Sequence, residues 1–91
     1  MKIKVAYENK KDKELLELNQ STTPYFIEYI DVTTKTGLKD SYKLKSLYGA
    51  RLNPFIVVYD DEDKFVQCFW SENGNAVQQF INWLLNNDSK N

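Results

Sequence analysis

Residues 54–59 read Pro-Phe-Ile-Val-Val-Tyr, an apolar run with turn-forming residues on both sides. Its length and its β-branched centre predict a strand that is covered on both faces. A strand of that kind needs layers above and below it, so it selects a helix-sheet-helix arrangement over a sheet with one wet face. Pro54 stands at the head of the run. A proline cannot donate to a sheet ladder, and the first position of a strand is one of the few places where it fits.

The rest of the chain supplies those layers. Residues 2–7 (KIKVAY) alternate, with Ile3 and Val5 on one side and Lys2, Lys4 and Ala6 on the other, which predicts a strand. Residues 8–20 are good helix formers around Leu15, Leu16 and Leu18, with Asn9 or Asp12 as a cap. The polar cluster Asn19 to Pro24 ends that helix. Residues 25–32 predict a second strand, with Phe26, Glu28, Ile30 and Val32 on one face and Tyr25, Ile27 and Tyr29 on the other. Residues 33–37 (TTKTG) read as a loop. Leu38, Tyr42, Leu44, Leu47 and Tyr48 then recur at helical spacing up to Gly49, a suitable C-cap. After the apolar strand come the turn Asp60-Asp61-Glu62-Asp63 and a strand over 64–70. A loop over 71–75 leads to an amphipathic helix over 76–85, built on Val77, Phe80, Ile81, Leu84 and Leu85.

The order is βαβαββα. Strand-helix-strand predicts a parallel pair joined by a right-handed crossover, and the short acidic turn predicts an antiparallel hairpin. The expected fold class is α/β, a mixed four-stranded sheet with helices on both faces. With 91 residues the chain makes one domain, expected over 1–86 with a flexible tail over 87–91.

Charge and composition narrow the function. Twelve basic and 13 acidic side chains leave no surplus to neutralise phosphates, so nucleic acid is not an expected partner. No run approaches the ~18 apolar residues of a membrane span. The opening Met1-Lys2-Ile3-Lys4-Val5 has no continuous apolar stretch of the secretory kind. A cytoplasmic protein that does not engage membranes is expected. The chain has one cysteine and no histidine, so it has no internal disulfide, no Ser-His-Asp triad and no Cys-His pair. No cofactor or metal is expected. The acidic run 60–63 lacks the glycine and terminal glutamate of a calcium loop and reads as a solvated turn.

The stretch from Leu47 to Leu85 resembles the back half of thioredoxin-like proteins. A helix ends at Tyr48-Gly49. There follow a loop (Ala50-Arg51-Leu52-Asn53), Pro54, the strand Phe55 to Tyr59, a tight polar turn, a strand and a closing helix ending Phe80-Ile81-Asn82-Trp83-Leu84. The whole element order is similar to that fold at its minimal, glutaredoxin-like size. The resemblance implies a cis bond at Asn53–Pro54, with the backbone of Asn53 exposed to an extended peptide or a glutathione substrate. It also places the family's Cys-x-x-Cys pair between the first strand and first helix, where a helix N-terminus lowers a thiol pKa. The matching segment here, Tyr7-Glu8-Asn9-Lys10-Lys11-Asp12-Lys13, has no cysteine. Near the end of the last strand, where the family usually has glycine, this chain has Trp70-Ser71.

The resemblance therefore implies a redox-inactive binding module and not an enzyme. Its partner would be a protein or extended peptide, held by Tyr7, Glu8, Asn9, Lys10, Lys11, Asn53, Pro54, Trp70 and Ser71. Two alternatives stand beside it. One is an atypical thiol oxidoreductase working through Cys68, which otherwise reads as a small buried hydrophobe. The other is a small α/β structural or oligomerisation protein. A monomer or weak homo-oligomer is expected.

Overall fold

The structure, a computed structural model, describes residues 1–19 and 25–89, without the side chains of 19 and 87–89. Seven elements follow in order: β1 (Lys2–Tyr7), α1 (Lys10–Asn19), β2 (Phe26–Asp31), α2 (Lys35–Tyr48), β3 (Phe55–Tyr59), β4 (Phe65–Phe69) and α3 (Ala76–Ser89). They form a four-stranded sheet in the order β2-β1-β3-β4. β1 runs parallel to β2 and antiparallel to β3, and β3 runs antiparallel to β4. The mixed sheet expected from the element order is therefore present. The expected helix stop at 20–24 lies outside the described residues. The backbone of α3 runs on through Ser89, so the first part of the expected tail is helical; 90–91 lie outside the description.

The apolar run at 55–59 is internal because both of its edges are paired and both of its faces are covered. Phe55, Ile56, Val57 and Val58 are each fully buried. Ile56 and Val58 join Ile3, Val5, Leu16, Val77, Phe80 and Leu84 under α1 and α3. Phe55 and Val57 join Ala6, Ile30, Val32 and Leu44 under α2 on the opposite face. The alternation read in 25–32 divides the same way: Tyr25, Ile27 and Tyr29 pack on the first side, Ile30 and Val32 on the second. Burying both faces of this strand stabilises the fold by roughly 25 cal/mol per Å² of apolar surface removed from water.

Two local features differ from the sequence expectation. α2 starts at Lys35, inside the stretch expected to be a loop. Thr34 caps it, its Oγ1 accepting from Gly37 N at 3.0 Å and donating to the Asp31 carbonyl at 2.8 Å. Gly37 is in that first turn because a Cβ there would lie 1.9 Å from the Asp31 carbonyl oxygen. At the far end Gly49 takes a left-handed φ of 78° and its N–H bonds Lys45 O at 2.8 Å, as the glycine C-cap predicted. The second difference is a β-bulge between β3 and β4 at Val58/Tyr59. The extra residue brings Phe65 opposite Tyr59, on the α2 side, where it stacks on Tyr48 with ring centroids 4.6 Å apart. The acidic turn is closed by Asp60, whose Oδ1 accepts from Glu62 N and Lys64 N, each at 2.9 Å.

Candidate functional site

Where β1 ends and α1 begins, the chain leaves the sheet at its carboxyl edge. In open α/β sheets that edge, outside the strand ends, is where ligands are held. Asn9 opens α1: its Oδ1 accepts from Lys11 N at 3.0 Å, and its carbonyl accepts from Asp12 N at 3.1 Å. The loop before β3 comes alongside, and its Asn53–Pro54 bond is cis. Between the two segments lies an open cleft of about 690 Å³, lined by Glu8, Asn9, Lys10, Asp12, Asn53 and Pro54.

The lining is polar on one wall and constrained on the other. Glu8, Asn9 and Lys10 are exposed, while Asp12 is half-buried and Pro54 buried. Burial pushes the Asp12 carboxyl above its ordinary value. The Oδ1 of Asn53 is buried without a hydrogen-bond partner among the described residues. Nearby, Asp31 at the end of β2 is held below the usual carboxylate range, first by its hydrogen bonds from Thr33 and then by Lys10 and Lys13. The cleft thus offers acceptors, an ammonium group and amides, but no sulfur or imidazole. Such a lining can hold polar main-chain groups of a guest.

Five of the nine residues named from the sequence meet there: Glu8, Asn9, Lys10, Asn53 and Pro54. The other four lie elsewhere. Tyr7 is buried under α1, its ring edge-on to Tyr29 with centroids 6.0 Å apart. Lys11 is exposed on α1 outside the lining. Trp70 is half-buried on the α2 side of the sheet, against the group that contains Ala6 and Phe55. Ser71 is bonded into the approach to α3, its Oγ accepting from Asn75 N at 3.1 Å. Asp12 lines the cleft and was read in the sequence only as a possible cap. Its place three residues after Asn9 was the available signal, because that spacing puts both side chains at the mouth of one helix.

Compared with known proteins, the chain matches no family model, no curated protein and no solved structure at a significant level. The site therefore has to be read from its own groups.

Cys68, the single thiol, is not part of this lining. It is half-buried on β4, on the α2 side beside Tyr59 and Trp70, and burial raises its pKa. Among the described residues no group of three His, Cys, Asp or Glu side chains is placed to hold a metal ion.

Proposed function

We propose that the chain is a thioredoxin-like module without redox chemistry, which binds an extended segment of a protein partner in the cleft at the β1–α1 junction. The observation that carries this reading is the meeting of Glu8, Asn9, Lys10 and Asp12 with Asn53 and Pro54, from segments more than forty residues apart, at the carboxyl edge of the sheet. The element order and the strand order β2-β1-β3-β4 support the likeness to that fold. The absence of a cysteine from residues 7–13 supports a binding role over thiol exchange. Cys68 is a weaker candidate for chemistry, since burial favours its protonated form and the thiolate is the reactive species.

The guest is expected to be a short, extended peptide. Its amides would meet Glu8 and the Asn53 side chain, and an acidic group would meet Lys10. The test is a peptide-display screen against the folded protein, with selected peptides titrated by calorimetry. Asn53→Arg fills the cleft and Lys10→Glu reverses the ammonium group of its lining. Each variant is expected to weaken the selected peptides about tenfold or more, Asn53→Arg by blocking the cleft and Lys10→Glu by losing one charge-assisted contact. Peptides that bind both variants as well as the native protein would sink this reading. So would turnover of insulin disulfides above that of a Cys68→Ala control.

A further inference from the structure

The loop between β4 and α3 is held at its ends and open in its middle. Ser71 Oγ donates to Asn75 Oδ1 and accepts from Asn75 N, the latter at 3.1 Å. Asn75 Oδ1 also accepts from Gln79 Nε2, and the Asn75 carbonyl accepts from Gln79 N, both at 3.0 Å. These bonds seat the start of α3, whose Ala76 and Val77 are buried. Glu72, Asn73 and Gly74, inside the loop, are exposed. Among the described residues the Asn73 side chain has no hydrogen-bond partner. Gly74 N donates to Ser71 O at 3.3 Å, a long bond across an exposed turn.

An asparagine amide next to a main-chain N–H is a latent electrophile. Once that nitrogen gives its proton to solvent hydroxide, it can reach Cγ of the asparagine and close a five-membered ring. A side chain on the following residue crowds the closure, and glycine has none. Of the asparagines in the chain, only Asn73 precedes glycine. Asn53, at the cleft, precedes proline, whose nitrogen has no proton to lose. Asn75 precedes buried Ala76, and its amide oxygen is already bonded to Ser71 and Gln79.

We infer that Asn73 is a site of spontaneous modification, its amide converted to an acid, and that the isoaspartate product unseats α3. The bond from Gly74 N to Asn73 Cγ forms, the Cγ–Nδ2 bond breaks, and ammonia leaves with a proton from water. A second water then opens the cyclic imide, and nothing is oxidised or reduced. Opening at Cγ gives aspartate with the main chain as before. Opening at the main-chain carbonyl carbon gives isoaspartate, in which the chain runs through the former side chain and is longer by one carbon. Either product adds one negative charge. The extra carbon of isoaspartate falls inside the loop that the Ser71–Asn75 bonds close, so those bonds and the helix start they hold are displaced.

The test ages the native protein in mildly alkaline buffer beside a synthetic peptide of residues 70–77, with both then analysed by mass spectrometry after digestion. The acid is expected first at residue 73, as aspartate and isoaspartate together, and faster at higher pH. Freeing Gly74 N from one exposed hydrogen bond is expected to slow the folded protein by no more than about tenfold against the peptide. Asn73→Gln, whose ring would need six members, is expected to keep its amide over the same period. The separated isoaspartate form is expected to melt below Asn73→Asp, which carries the charge without the added carbon. An Asn73 that stays intact while the peptide converts would overturn the inference. So would aspartate without isoaspartate, the mark of direct attack by water, or an isoaspartate form that melts with Asn73→Asp.

Discussion

Among the described residues the buried hydroxyl of Tyr29 has no hydrogen-bond partner, while Lys13 Nζ lies 5.0 Å from its ring centroid. Burial, helped by Glu17 and the neighbouring Tyr25 and Tyr7, pushes its pKa from 10.0 up to about 12. Burial also raises Tyr59, reinforced by Tyr48, whose hydroxyl accepts a hydrogen bond from the Tyr59 hydroxyl at 3.1 Å. The sign follows from proton counting. Above pH 10 the unfolded chain gives up these protons while the folded one keeps them, so the unfolded state binds fewer. Stability is expected to hold below pH 10 and to fall as pH rises towards 12, the folded value for Tyr29. Urea melts across that window check it, and Tyr29→Phe should flatten part of the slope. At pH 7 the same substitution removes an unsatisfied polar atom and keeps the ring. It is expected to be neutral or stabilising by up to ~1 kcal/mol. A loss beyond that would mean the hydroxyl has a partner.

Helix α2 shows local preference and tertiary contact pulling in opposite directions. In a solvated helix, Gly→Ala gains ~1 kcal/mol. At Gly37 the added Cβ would lie 1.9 Å from the Asp31 carbonyl oxygen and 2.8 Å from Thr34 Oγ1. Backbone cannot swing aside as a side-chain tip can, so the steric cost outweighs the propensity gain. Gly37→Ala is expected to destabilise by about 1–3 kcal/mol or more, measured by chemical denaturation. Thr34→Ala, which loses the cap but creates no clash, should cost only ~1 kcal/mol. A stabilised Gly37→Ala protein would show that β2 and α2 are not joined as closely as described. The same contact explains why the helix start was hard to read. Thr-Thr-Lys-Thr-Gly has the composition of a loop, and only the approach of Asp31 makes glycine the residue that admits a helix there. Leu38 to Gly49, by contrast, was legible because its apolar spacing and glycine cap act within the helix itself.

One sheet serves two apolar groups, one under α1 and α3 and one under α2, and every strand contributes to the first, the second or both. Phe80 anchors the larger group. It is fully buried, and its ring meets Tyr25, Phe69 and Trp83 with centroids 5.6, 5.9 and 6.1 Å away. Phe80→Ala is expected to cost about 3–5 kcal/mol, a large share of the stability of so small a domain. Because β3 lines both groups, the loss should appear as one cooperative transition at lower temperature by calorimetry, not as melting of α3 alone. A persistent second transition would show that the α2 side folds independently. The succession of strands and helices, the two-faced burial of 55–59 and the alternation along 25–32 could all be read from the chain. Each records, residue by residue, which side chains must leave water, and that demand acts over a few neighbours. The company a residue keeps across the molecule was another matter. Tyr7 turned into the interior, Trp70 went to the α2 side, Asp12 joined the cleft, and the bulge carried Phe65 onto Tyr48. Those outcomes depend on how strand ends and helix mouths meet when two apolar layers close on one twisted sheet, and that geometry is fixed only when the whole chain packs.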